Sequence, residues 1–175
     1  MLSDRDILTA LLKGELEISP LSRDDVQPAS VDVHLADELL SFDSCGLQYI
    51  DPEKQPGEQM RRMSDVLSLP AGAFILGSTV ERFKLGESIL GRVEGKSSLG
   101  RLGLAVHITA GFIDPGFEGN ITLEIVNHSP LPIILRPGMA IAQIAFSRLS
   151  SPVLRPYGSG RGSKYQGQTG VTASR

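Results

Sequence analysis

At 175 residues, with 41% hydrophobic and 21% charged residues, the chain has the length and composition of one soluble globular domain with a core of its own. Its single cysteine, Cys45, excludes an internal disulfide scaffold, and with only His34, His107 and His128 beside it a cysteine-rich zinc site cannot be assembled. A net charge of −3, no Trp and 5% aromatic residues argue against general nucleic-acid binding and against a base-stacking platform.

The first residues, Met1-Leu2-Ser3-Asp4-Arg5-Asp6, lack the basic and apolar regions of a secretory signal, and no apolar run approaches the ~18–20 residues that span a bilayer. A cytoplasmic protein is expected. Ser3 can cap a helix, with Asp6 three residues on; Ile7, Leu8, Leu11 and Leu12 then share one face and Gly14 is the stop. After this the period changes to two, with Val31, Val33 and Leu35 alternating with Asp32 and His34 as in a half-buried strand. Residues 43–70 are polar and proline-bearing and read as an irregular excursion. Short strands are then predicted at Phe74–Val80, Leu90–Val93, Leu104–Ile108, Ile121–Asn127, Pro132–Leu135 and Ala140–Phe146. Turn signals separate them at Pro70-Ala71-Gly72, Asp114-Pro115-Gly116, Glu118-Gly119-Asn120 and Arg136-Pro137-Gly138. Many short strands so punctuated indicate a mainly β domain, a sandwich, jelly roll or barrel.

Charge is uneven along the chain. Residues 1–124 hold 11 cations against 20 acids, whereas 125–175 hold six cations and no acid. A basic C-terminal third suits an anionic ligand, although a solvated tail has the same composition. The segment Tyr157–Arg175 has few apolar residues and is not expected to bury itself in the core. It reads as a disordered end or as a Gly-rich lid that orders over a ligand.

Three clusters could carry chemistry. In Gly95-Lys96-Ser97-Ser98-Leu99-Gly100-Arg101-Leu102-Gly103, hydroxyls, cations and glycine backbone could cradle phosphate, or could form an ordinary Ser/Gly turn. It is not a P-loop, because the spacing differs. In Thr109–Gly119, Asp114 precedes a Pro-Gly turn and could simply cap it. In Ile121–Asn127, alternation puts Ile121, Leu123 and Ile125 on one face and Thr122, Glu124 and Val126 on the other. A carboxylate in mid-strand must face water, pair with a cation or perform chemistry.

Taken together, Gly95–Gly103, Thr109–Glu124, the Arg136-Pro137-Gly138-Met139 turn with Gln143, and the ending Pro156-Tyr157-Gly158 with Lys164-Tyr165-Gln166-Gly167-Gln168 resemble dCTP deaminases of the dUTPase-like superfamily. The resemblance runs from Leu2-Ser3-Asp4-Arg5-Asp6-Ile7 through Gln27-Pro28-Ala29-Ser30-Val31-Asp32 to the tail. It implies a distorted jelly-roll or dUTPase-like β-barrel with a short N-terminal helix and a flexible C-terminal tail. One domain over 1–175 is expected, with a core at 1–155 and a lid at 156–175. The family forms homotrimers with active sites between subunits.

The resemblance also assigns roles. Glu124 is the proton shuttle; Ser97 and Arg101 hold the attacked group and its water; the Ala110 carbonyl positions water; Asp114 lies beside deoxyribose and the second water. Lys96, Ser97, Ser98, Leu99, Gly100, Arg101, Asp114, Thr122, Leu123, Glu124, Gln143, Tyr157, Lys164 and Gln168 are the expected dCTP contacts. The family uses no zinc, and Mg²⁺ is expected to arrive on the triphosphate. Gly111 and Phe112 resemble the bifunctional members, which carry dCTP through to dUMP for thymidylate synthesis. Release of dUTP by a monofunctional deaminase, or a non-enzymatic trimeric nucleotide-binding module, are the alternatives. Further candidate ligands are dUTP and dTTP, the latter as an inhibitor; no nucleic acid or membrane is expected as a partner.

Overall fold

The alternation read from the sequence is the alternation that closes the core. The structure is a computed structural model that describes residues 1–42, 49–51, 58–62 and 65–174. Cys45 and the rest of 43–48, together with 52–57 and 63–64 of the proline-bearing stretch, lie outside the described residues. In chain order the elements are α1 (Asp4–Leu12), β1 (Leu16–Ser19), β2 (Val26–Gln27), β3 (Ser30–Phe42), β4 (Glu58–Arg62), β5 (Leu67–Leu69) and β6 (Phe74–Leu85). They continue with β7 (Ile89–Gly95), α2 (Ser97–Gly100), β8 (Leu104–Val106), β9 (Phe112–Ile113), β10 (Glu118–Asn127), β11 (Ile133–Leu135) and β12 (Ala140–Arg148).

The main sheet is antiparallel and runs β8-β10-β6-β3-β12-β7-β9, with β1 added to β6 and both β2 and β4 added to β3; β5 and β11 make a separate pair. Val31, Val33 and Leu35 of β3, Leu123 and Ile125 of β10, and Ile141, Ile144 and Phe146 of β12 are fully buried on its inner side. Each such side chain contributes roughly 1.5–3 kcal/mol of burial, which outweighs the modest intrinsic preferences of the short strands.

Several boundaries differ from expectation, each for a physical reason. On α1, Ile7 and Ala10 are buried and Leu11 packs against the core, but Leu8 and Leu12 are exposed. Nine residues give room for one stripe only, and the stripe at 7, 10 and 11 is the one that meets the sheet. Ser3 caps the helix by accepting from the Asp6 amide, and Gly14 follows its end at φ +67°. The stretch 43–70 is not wholly irregular, since β4 and β5 form within it by pairing with β3 and β11. Strand β6 runs past Val80 to Leu85 because Phe83 and Leu85 continue the buried face while Arg82 and Lys84 find Glu118 and Glu17 across the strands. Strand β9 is too short to show a period in sequence, and the four-residue alternation of β1 is short enough to pass as part of the turn after α1.

Asn127 ends β10 as a buried hub. Its Nδ2 donates to the carbonyls of Leu69, Pro70 and Leu131 and its Oδ1 accepts from the Ser129 amide, at 2.8–3.2 Å. These bonds tie the β5 end and the β10–β11 turn to the sheet. Asn127→Ala removes these bonds, while the Pro70 and Leu131 carbonyls keep the Ala73 amide and the Ser129 hydroxyl, so we expect a loss of about 2 kcal/mol in urea-induced unfolding.

Candidate active site

The site begins with the pairing of β10. Ile125 lies opposite Val106 of β8, which sets Glu124 beside His107, where the His107 amide donates to the Glu124 carbonyl at 2.8 Å. Thr122 and Glu124 therefore leave the outer face of β10 while Leu123 points inward and is 0% exposed. The Leu123 side chain thus packs in the core, and only its backbone borders the outer face. The Glu124 Oε2 accepts from the Ile108 amide at 2.8 Å and the Thr109 amide at 3.4 Å, so the loop after β8 fixes the carboxylate's orientation.

Glu124 lines a cavity of about 540 Å³. Ala110, Phe112, Asp114 and Thr122 line it as well, so the expected Ala110, Phe112, Asp114 and Glu124 converge on one space, while Gly111 lies between two lining residues without lining it itself. His107, which sequence reasoning did not single out, is part of the same wall. It has a positive φ of 87°, rare for a non-glycine residue, and its Nδ1 is buried with no hydrogen bond. The signal that could have found it is its place just past β8, across from a mid-strand carboxylate.

The tail is the largest departure from expectation. It docks along β10 rather than standing free. Tyr157 packs on the core with its ring 5.9 Å from that of Phe117, and its hydroxyl accepts from the Tyr165 amide. Gln168 bridges to Gly119 in parallel fashion and is buried. A Cβ on Gly119 would stand 2.8 Å from the Gln168 carbonyl, so only glycine allows that approach. Tyr157, Tyr165, Gln168 and Thr172 complete the cavity wall, and the Thr172 amide donates to the Thr122 hydroxyl at 3.2 Å.

A second group of expected residues lies elsewhere. Lys96 precedes α2, a single helical turn, and Ser97, Ser98, Gly100 and Arg101 are exposed while Leu99 is partly packed against the core. On the adjoining face of β3, Asp32 pairs with Lys96 at 2.6 Å, and the Ser30 hydroxyl donates to Gln143 Oε1 at 3.0 Å. Gln143 Nε2 in turn donates to the Gly95 carbonyl. None of these residues, nor Lys164, is among those that line the Glu124 cavity. Within one chain the expected constellation is thus split into a carboxylate half and a cationic, hydroxyl-bearing half.

Carboxylates in a partly apolar cavity with a fixed orientation can move protons, while the cationic half can bind phosphate. A family model described as dCTP deaminase-like matches residues 1–149. The chain belongs to the dCTP deaminase-like family. Relatives within it include a protein of Corynebacterium jeikeium named dCTP deaminase, dUMP-forming, 51% identical over all of this chain and 96% of its own length. Proteins of the same name from Bifidobacterium longum and Mycobacterium tuberculosis are 53% and 51% identical over all of this chain and 93% and 95% of theirs. Among solved structures, the 2'-deoxycytidine 5'-triphosphate deaminase of Agrobacterium tumefaciens matches with a TM-score of 0.64 and 26% identity over 85% of this chain. The match spans about half of that longer chain (48%). A dUTPase of phage phi11 of S. aureus, 14% identical with a TM-score of 0.52 over 80% of this chain and 94% of its own, shares the fold.

Membership of the dCTP deaminase-like family gives Gly111 a physical reading. A Cβ there would sit 3.1 Å from the His107 ring and 3.3 Å from the Val93 carbonyl, so a side chain at 111 requires the His107 ring to give way by a few tenths of an ångström. Gly111→Ala is expected to cost about 1–3 kcal/mol by overpacking. A crystal structure of the variant should show the imidazole displaced.

Proposed function

We propose that the chain converts dCTP to dUMP at one site by two hydrolyses, in which dCTP and two waters give dUMP, ammonia and diphosphate. The observation that carries this reading is the placement of Glu124 and Asp114 on the wall of one cavity. It is supported by the full-length likeness to relatives named as dUMP-forming dCTP deaminases. Glu124 takes a proton from the water that attacks cytosine C4, then delivers protons to the ring nitrogen and the departing amino group, so that a C–O bond forms as the C–N bond breaks. The amides of Ile108 and Thr109 engage Oε2, which leaves Oε1 to face the water. The Ala110 carbonyl orients that water, and Ser97 and Arg101 stabilise the charge that develops at the reacting carbon's substituents. Asp114 then directs a second water at the α-phosphorus, and the bond to the bridging oxygen breaks to release diphosphate. Two carboxylates with roles set by their surroundings suffice for both steps.

The split constellation supports a trimer. Ser97 and Arg101 reach Glu124 when supplied by a neighbouring copy, and the exposed apolar side chains Leu102, Ile108 and Phe112, which flank the two halves, are then covered. Lys96, Ser98 and Gln143 meet the triphosphate across that junction, with Tyr157, Lys164 and Gln168 closing it from the tail. A magnesium ion would be held by the triphosphate oxygens and retained waters, and would offset the phosphate charge. Asp32 Oδ1, buried without a hydrogen bond beside Lys96, fits as an acceptor for the ion's bound water.

Incubation of the purified protein with dCTP and Mg²⁺ is expected to release ammonia and diphosphate in equal amounts; accumulation of dUTP without diphosphate would overturn the two-step reading. Glu124→Gln should lower ammonia release about a thousandfold with nucleotide binding retained, whereas Asp114→Asn should shift the product toward dUTP. Co-assembly of Glu124→Gln with Arg101→Ala chains should recover up to about a quarter of wild-type turnover, the fraction of sites that draw both intact halves. Mixed trimers that stay inactive would refute the shared site.

A further inference from the structure

Gln143 brings a side-chain amide to the cationic half of the site, and an amide has two ends of opposite character. Only its Nε2 hydrogens suit an anion; turned the other way, Oε1 would set one acceptor against another. The structure holds the side chain in a single orientation. Nε2 donates to the Gly95 carbonyl at 3.2 Å, and because a carbonyl only accepts, the nitrogen is the atom on that side. Oε1 is thereby turned to Ser30, whose hydroxyl donates to it at 3.0 Å. Nε2 carries two hydrogens, so one is left for a ligand oxygen.

Ser30 is itself immobilised. It is 8% exposed and stands at the base of a hairpin in which Gln27 pairs with Ser30 and Val26 with Val31. The turn between them is fixed from outside, since the Asp4 amide of α1 donates to the Pro28 carbonyl at 3.0 Å and Gln27 Nε2 donates to the Asp24 carbonyl. Strand pairing also decides what else surrounds the amide. Gln143 lies opposite Asp32 of β3 on one side and Glu94 of β7 on the other. Each carboxylate has its own cation, Lys96 for Asp32 and Arg92 for Glu94. A freed amide would still find both as cross-strand neighbours, and their oxygens would draw Nε2 away from a nucleotide.

We propose that Ser30 is a positioning residue for the triphosphate: its hydroxyl locks the Gln143 amide so that the second Nε2 hydrogen is already aimed when the nucleotide arrives. Ser30 touches no substrate and acts through Gln143 alone. The cost of ordering that amide is met on folding, which lowers the ordering cost of binding. The kinetic part of this inference rests on the reading above in which Gln143 meets the triphosphate; the part concerning the order of the amide does not.

A double-mutant cycle, joined to NMR relaxation of the Gln143 side chain in the full-length, nucleotide-free protein, tests it. Ser30→Ala should raise KM for dCTP about fivefold with kcat little changed, the size of one lost hydrogen bond. Gln143→Ala should raise KM at least as far, and adding Ser30→Ala to it should change KM by less than about twofold. In the wild type the side-chain amide should be as rigid as ordered backbone, with an order parameter of about 0.85, and Ser30→Ala should lower it below about 0.6. A Ser30→Ala penalty of equal size in both backgrounds overturns the proposal, as does an unchanged KM in Ser30→Ala. A mobile Gln143 amide in the wild type overturns it with no variant needed, so the matter is decided even should Ser30→Ala not fold. Gln143→Ala with unaltered KM refutes the contact with the triphosphate and with it the role in binding. That result is distinct from a wild type that leaves dCTP untouched, which refutes the activity itself.

Discussion

The pairing of β10 between β8 and β6 is the constraint on which the site depends. One register places Ile121, Leu123 and Ile125 in the core and leaves Thr122 and Glu124 on the other face. A slip by one residue would bury Glu124 and expose three large aliphatic side chains, so the hydrophobic pattern that stabilises the sheet also fixes the carboxylate. The same strand receives the loop that orients Glu124 and the tail that walls the cavity. Stability and chemistry share one element here because a strand offers two faces with opposite demands.

The halves of the site are built differently. The carboxylate half is assembled by strand pairing and by backbone amides that reach Glu124 from Ile108 and Thr109. The cationic half rests on a short helical turn whose Lys96 is already neutralised by Asp32. A partly buried ion pair of that kind holds the ammonium in place and lowers the cost of its burial.

Much of this was legible in the sequence, and the pattern of what was not is informative. Longer alternating strands, such as β3, β10 and β12, announce themselves, and so do the turns that separate them. Strand β9 does not, because two residues carry no period; the four-residue alternation of β1 is short enough to pass as part of the turn after α1, and the far end of β6 was hidden by charges that are satisfied only across strands. Glu124, Asp114 and Ala110 were found through motifs, whereas His107 was not, since its importance comes from a positive φ and its place opposite Glu124. Ser30 looked like an ordinary motif residue, because its partner Gln143 is 113 positions away and only the pairing of β3 with β12 brings the two together. Leu123 shows how a family motif can include a position whose side chain faces the core and whose backbone alone borders the site.

The docked tail also bears on how the protein is made. Chain synthesis is directional, and β10 with all its sheet neighbours leaves the ribosome before Tyr157–Ser174 does. A nascent chain can therefore complete its barrel while the cavity still lacks one wall. The wall supplied by Tyr157, Tyr165, Gln168 and Thr172 is added last, so translational arrest after β12 would yield a chain with its sheet complete and its cavity open on one side.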